Sequence, residues 1–268
     1  MSETVTSADG TTIGYDRTGD GPAVILVGGA FQHRAIDPRT AELADLLGGD
    51  FSVYHYDRRG RGDSGQSVTP YRIEREIEDL AALLAAAGGE AALFGMSSGA
   101  ALALDAAARR PAVTKVAVYE APFVVDGDRA PISDDYLPQL HALLAKGERG
   151  AAVEWFLTEA VGVPAGMVAA MRQTPVWAAF ESVAPTLAYD GALLEGTVEG
   201  RPLPDRRWAA VTVPVLVVDG GASPPSMASA ADALAGVLLS ARRETLPDQQ
   251  HEVDPKVLAP VLAEFFGA

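Results

Sequence analysis

Gly95-Met96-Ser97-Ser98-Gly99 is the stretch of this 268-residue chain whose residue types and spacing best suit chemistry. Residues 91–94 lead into it as a short apolar, β-compatible run, and residues 100–109 lead out as an Ala/Leu-rich helix former. A Gly-x-Ser-x-Gly set between strand and helix turns so tightly that glycines must flank the serine. The Oγ is then held up at the start of a helix, where unpaired backbone N–H groups and the helix dipole stabilise negative charge. The chemistry this suits is nucleophilic attack through an anionic intermediate. Five-residue patterns of Gly, Ala and Ser also recur by chance in a chain rich in them, so the flanking strand and helix carry the reading.

Two other stretches invite a chemical reading. Gly28-Gly29-Ala30-Phe31 follows the unbroken apolar run Ala23-Val24-Ile25-Leu26-Val27. Glycines directly after a central strand let main chain come close to a reacting group. An oxyanion hole needs this, because its donors are backbone N–H groups about 3 Å from the developing charge; the alternative is a plain tight turn. Asp57-Arg58-Arg59-Gly60-Arg61-Gly62-Asp63-Ser64-Gly65 offers three arginines. They could suggest a phosphate site, but Asp57 and Asp63 beside them favour a self-paired structural loop.

The elements that must position these residues alternate. A β-hairpin is expected over residues 4–17, turning at Ala8-Asp9-Gly10. A helix over 39–47 should point Leu43, Leu46 and Leu47 inward, a strand runs over 51–56 with His55 packed in it, and a helix over 71–87 presents Ile73, Ile77, Leu80, Leu83 and Leu84 on one face. Gly88-Gly89 ends that helix. A strand over 115–119 carries Glu120 at its carboxyl end, strands follow over 213–218 and 242–246, and helices over 226–235 and 255–266. Between residues 124 and 206 helical stretches (134–144, 151–161, 176–188) alternate with Gly and Pro breaks, too long for an ordinary loop. The expected architecture is α/β, a doubly wound, mostly parallel eight-stranded sheet. Its core is formed by residues 1–123 and 207–268, and residues 124–206 form an inserted helical lid. Of Tyr136, Trp155, Phe156, Met167, Met171, Trp177 and Phe180, most should form the lid's own core, with some lining an apolar pocket above the serine.

Composition narrows the partners. A net charge of −15 repels phosphate backbones and anionic membranes, so neither nucleic acid nor membrane is an expected partner. With no cysteine there is neither disulfide, thiol catalysis nor thiolate metal site, which fits a cytoplasmic location. The opening stretch MSETVTSADG is polar and acidic, unlike a signal peptide, and no apolar run approaches membrane-spanning length.

The elbow Gly95–Gly99, the loop Tyr56–Gly65 and Leu246-Pro247-Asp248-Gln249-Gln250-His251 before a closing helix together resemble the α/β-hydrolase fold family over nearly the whole chain outside the lid. The resemblance implies a cofactor-independent enzyme without metal. It makes Ser97 the nucleophile and His251 the base, and places oxyanion donors at the N–H groups of Gly29 and Ser98. Two departures matter. Val27-Gly28 stands where many relatives have His-Gly, and Ala222-Ser223 stands where the acid that orients the histidine is usual. An imidazolium still needs a buried carboxylate. Glu120 is the first candidate, because a strand following the elbow helix lies beside the elbow strand with the same polarity. Some members of the family, haloalkane dehalogenases among them, place their acid there. Asp219 is the rival.

The resulting expectation is a serine hydrolase cleaving a carboxylic ester, thioester or lactone of a small apolar substrate, bound by Phe31, Phe123, Trp155 and Trp177. Two alternatives stay open: a non-hydrolytic enzyme on this scaffold, such as a C–C lyase or a cyclase, and a non-catalytic small-molecule receptor.

Overall fold

The central strands are set by runs of residues that need cover on both faces. A computed structural model describes residues 2–66, 70–125 and 127–268; residue 1 of the expected polar N-terminus and residue 126 of the expected insertion lie outside the described residues. Among these, β1 (Glu3–Thr6) and β2 (Thr12–Thr18) form the hairpin, followed by β3 (Ala23–Val27), α1 (Pro38–Leu47), β4 (Ser52–Tyr56) and α2 (Ile73–Ala86). The elbow joins β5 (Ala91–Met96) to α3 (Ser98–Arg109), and β6 (Val113–Tyr119) follows. After the helical insertion come β7 (Val215–Gly220), α9 (Pro225–Val237), β8 (Ala241–Leu246) and α10 (Pro255–Gly267).

The strands form one sheet in the order β1-β2-β4-β3-β5-β6-β7-β8. The first two are antiparallel to their neighbours and the rest are parallel. Alternation along each strand feeds two cores. Ile25, Val27, Leu93, Val116 and Val118 face the layer that contains α2, α3 and α9, whereas Val24, Leu26, Phe94, Ala117 and Val218 face α1 and α10. On α1, Leu43, Ala44 and Leu47 are buried but Leu46 is 43% exposed, contrary to expectation. The helix presents a narrow apolar stripe, and Leu46 falls off it.

Between β6 and β7 lie α4 (Tyr136–Ala145), α5 (Arg149–Trp155), a π-helical turn (Phe156–Val161), α6 (Ala165–Met171), α7 (Val176–Val183) and α8 (Leu187–Leu194). They share an apolar core of their own that includes Leu140, Val153, Trp177 and Leu187, and Phe31 from the loop after β3 packs against it.

The arginine loop is not self-paired. Arg58 binds Glu76 and Asp190, Arg59 binds Asp79 and Asp9, and Arg61 binds Asp190, while Asp57 and Asp63 pair with Arg34. Three guanidiniums almost wholly out of water need carboxylates in comparable isolation, and α2, α8 and, through Asp9, the β1–β2 turn supply them.

The elbow depends on close backbone approach. A Cβ on Gly99 would meet the Val27 carbonyl oxygen at once and the Gly28 oxygen at 2.7 Å, and one on Gly95 would stand 2.7 Å from the Ala100 Cα. Gly99→Ala is therefore expected to shift the urea-unfolding midpoint downward by the equivalent of about 1–3 kcal/mol or more, as overpacking does. An unchanged midpoint would contradict this contact.

Candidate active site

Ser97 sits between β5 and α3 at φ 55° and ψ −127°. A non-glycine residue rarely adopts such a backbone and holds it only where its surroundings over-determine it. Here the Ser97 N–H donates to the Tyr119 carbonyl at 3.0 Å and the Ser97 carbonyl accepts the Ala100 N–H at 2.9 Å. β6 on one side and the first turn of α3 on the other thus pin the turn. Ser98 opens α3, so its N–H has no acceptor inside the helix.

Glu120 follows β6 directly, at the same sheet edge, also with positive φ (45°). Its side chain is wholly buried, and its two oxygens each have a partner. Oε2 lies 2.7 Å from His251 Nδ1, and Oε1 accepts the Gly220 N–H at 2.9 Å. A carboxylate only accepts, so this contact places the imidazole proton on Nδ1 and leaves Nε2 as the free basic nitrogen. Asp219 is equally buried but faces elsewhere, with Oδ1 2.6 Å from Arg243 Nη1. The loop that carries His251 lies against the end of β7. Tyr119 Oη donates to the Gln250 carbonyl at 2.6 Å, and a Cβ on Gly220 would collide with the Gln249 carbonyl. Glycine at 220 is what allows that approach.

Ser97 and His251 line one cavity of about 490 Å³. Its apolar lining includes Phe31, Phe156, Leu157, Met171 and Phe180, and its polar lining includes Gln32, Asp37 and Thr40. Phe31, itself at φ 62°, stacks on Phe180 (centroids 4.2 Å apart) and meets Phe156 edge-on at 5.2 Å. Of the aromatic residues expected to bind substrate, Phe31 alone lines this cavity among the described residues. Phe123 is buried beneath the insertion, stacked on Trp208 at 5.3 Å. Trp155 donates Nε1–H to the Tyr136 carbonyl, and Trp177 donates its own to Glu181 within the insertion's core. Both indoles spend their polar edge on the insertion itself. Phe156, Phe180 and Met171 lie on the cavity face instead, a division that residue type alone does not reveal.

The loop after β3 departs from expectation at Gly29. Its N–H is donated to Gln32 Oε1 at 2.5 Å, and Gln32 Nε2 in turn donates to Asp37 Oδ2 at 2.7 Å. Ala30, not Gly29, lines the cavity, and among the described residues no protein acceptor takes the Ala30 N–H. Gly29 contributes closeness: a Cβ there would stand 2.8 Å from the Ser97 Cβ. His33 is buried below the loop with Nδ1 unpartnered, burial holding its pKa below the ordinary value, and His141 is exposed on α4. Among the described residues no group of three or more His, Cys, Asp or Glu side chains is disposed to hold a metal ion, and no helix is long and apolar enough to cross a membrane.

Comparison with known proteins is consistent with this architecture, and residues 24–261 match the alpha/beta hydrolase family. The chain belongs to that family. Within it, an alpha/beta hydrolase from Sphaerobacter thermophilus DSM 20745 is 51% identical with a TM-score of 0.89, covering 98% of this chain and 100% of that one. A thermophilic esterase from Thermogutta terrifontis shares the fold (21% identity, TM-score 0.71, 99% and 97% coverage). An uncharacterized hydrolase, YraK, from Bacillus subtilis strain 168 is 32% identical over 125 residues, 43% of each chain.

The Glu120–His251 contact makes a spectroscopic prediction for this hydrolase. A short hydrogen bond to a carboxylate deshields the imidazole proton, so a far-downfield proton resonance is expected in the wild type and in Asp219→Asn, and should vanish in Glu120→Gln. Its loss in Asp219→Asn instead would assign the contact to the wrong acid.

Proposed function

We propose that the protein is a cofactor-independent serine hydrolase cleaving a carboxylic ester, thioester or lactone of a small apolar substrate. The observation that carries this reading is the His251–Glu120 contact at 2.7 Å beside a cavity shared with the strained Ser97. His251 Nε2 takes the proton of Ser97 Oγ as the oxygen attacks the carbonyl carbon, and Glu120 holds the ring and stabilises the imidazolium. The tetrahedral oxyanion is received by the N–H of Ser98, at the start of α3, and by that of Ala30, since Gly29 has given its own to Gln32. Collapse breaks the C–O or C–S bond as His251 protonates the leaving oxygen or sulfur, which departs as an alcohol or thiol or, from a lactone, stays on the acyl chain as a hydroxyl. A water deprotonated by His251 then frees the acid from the Ser97 acyl-enzyme.

The helical insertion acts as a lid, and its Phe156, Phe180 and Met171 supply the apolar wall for the substrate's hydrocarbon part. The likeness in fold to an esterase and the family's hydrolytic character support the ester class.

The test compares three variants on one short-chain aryl ester, with folding checked by circular dichroism. Ser97→Ala should lose turnover to background. Glu120→Gln should lower kcat on the order of 10⁴-fold with KM much less affected, and Asp219→Asn should stay within a few-fold of wild type. Wild-type activity in Ser97→Ala would overturn the mechanism, and collapse of Asp219→Asn alone would move the acid to Asp219.

A further inference from the structure

We infer that Asp190, on α8 of the lid, is a positioning residue that orients the oxyanion-binding amides, so that the amides take up their working geometry only with the lid docked. The inference rests on the hydrolase reading above and adds to it a residue with no contact to substrate. Asp190 is 1% exposed and makes three short bonds: Arg58 Nη1 at 2.6 Å, Arg61 Nη2 at 2.6 Å, and the Ser98 hydroxyl, which donates to it at 2.7 Å. Each of these partners leads to the site. Arg58 Nη1 also donates to the Gly28 carbonyl at 3.3 Å, and Arg61 Nη1 to the Gly29 carbonyl at 2.5 Å. Ser98 carries one of the proposed oxyanion donors on its own backbone.

Peptide planarity turns those carbonyl contacts into control of the amides. In a trans peptide the C=O and the following N–H point in opposite directions. No cis bond is present among the described residues, so fixing the Gly29 carbonyl on Arg61 aims the Ala30 N–H the other way. Fixing the Gly28 carbonyl on Arg58 likewise aims the Gly29 N–H, which meets Gln32 Oε1. A guanidinium on the carbonyl also withdraws charge across the peptide and strengthens the N–H as a donor. Asp190 sets both guanidiniums at once, and Thr186, just before α8, accepts from Arg61 Nε at 2.9 Å.

The charge balance is local. Arg58 and Arg61 face Glu76 and Asp190, two cations against two anions, all nearly excluded from water. Burial alone would raise the Asp190 carboxyl, but Arg61 and Arg58 outweigh it and keep it below the usual carboxylate range. Glu76 comes from α2 of the core, whereas Asp190 comes from the lid. Undocking the lid would leave Arg61 without its only carboxylate among the described residues and free the Gly29–Ala30 peptide to turn.

The test uses Asp190→Asn in the full-length protein, with turnover of a short-chain aryl ester and inhibition by a simple alkylboronic acid. Such an acid bonds to a serine Oγ through boron and places a negatively charged oxygen where the oxyanion forms. If Asp190 orients the amides, kcat falls and the inhibition constant rises together, each about 10²-fold, while KM changes by no more than a few-fold. A residue that merely ties the lid down would lower the thermal midpoint but leave kcat per folded, titratable site and the boronate constant at wild-type values. That result overturns the inference. Thr186→Val keeps all four charges and removes one hydroxyl, which accepts from Arg61 Nε and donates to the Val183 carbonyl, so it serves if Asp190→Asn does not fold. It should shift kcat and the boronate constant in the same paired way, about 10-fold, and wild-type values there overturn the inference as well. If instead the wild type resists the boronic acid and Ser97→Ala retains activity, the hydrolase reading fails and takes this inference with it. Boronate inhibition of the wild type with an unaltered Asp190→Asn sinks the positioning role alone.

Discussion

A carboxylate shut away from water at the end of a central strand is costly unless each oxygen is matched, and the candidate site is arranged around meeting that condition for Glu120. One oxygen takes the Gly220 N–H from the neighbouring strand and the other faces His251. Both partners follow from sheet order. β6 lies between β5, which ends in the elbow, and β7, which ends in Gly220, so serine, acid and histidine loop converge on one edge. The glycine at 220 and the Tyr119 hydroxyl bring the histidine loop down onto that edge. Asp219, one residue earlier on β7, is held by Arg243 at the sheet's far side.

The second constraint is charge. A chain of net charge −15 nevertheless buries Arg58, Arg59 and Arg61, and it can do so because their partners are equally buried. Such a cluster adds little net stability compared with apolar packing, but removing one member strands another in a medium that cannot solvate it. What it supplies is geometry: the arginines hold the carbonyls of the loop beside Ser97, and one of their carboxylates belongs to the helical insertion.

Much of this was legible in the chain. β3, β5 and β6 read as strands because both of their faces are buried, which forces continuous apolar runs, and Gly95 and Gly99 read as elbow glycines because no other residue fits the turn. The placement of Glu120 on the sheet edge that carries Ser97 was legible through topology, since a strand that follows the elbow helix normally returns beside the elbow strand. What failed to show were contacts set by tertiary reach. Arg58 lies 18 residues from Glu76 and 132 from Asp190, whereas Asp57 and Asp63 are the carboxylates adjacent to the arginines in the chain. The Gly29 amide is taken by the side chain of Gln32, a choice of rotamer that no pattern encodes. Trp155 and Trp177 are set apart from Phe156 and Phe180 by which way they face, and irregular helices with a π turn blur the periodicity that would separate them; Phe123 lies in the coil after β6, where no periodicity applies.

The most direct measurement of the central claim is intact-mass spectrometry after brief exposure to a fluorophosphonate, followed by peptide mapping. A serine activated by His251 and Glu120 predicts a single stoichiometric phosphonyl adduct, located on Ser97 and formed within minutes at neutral pH. An unmodified protein after prolonged exposure, or an adduct on any other residue, would contradict it.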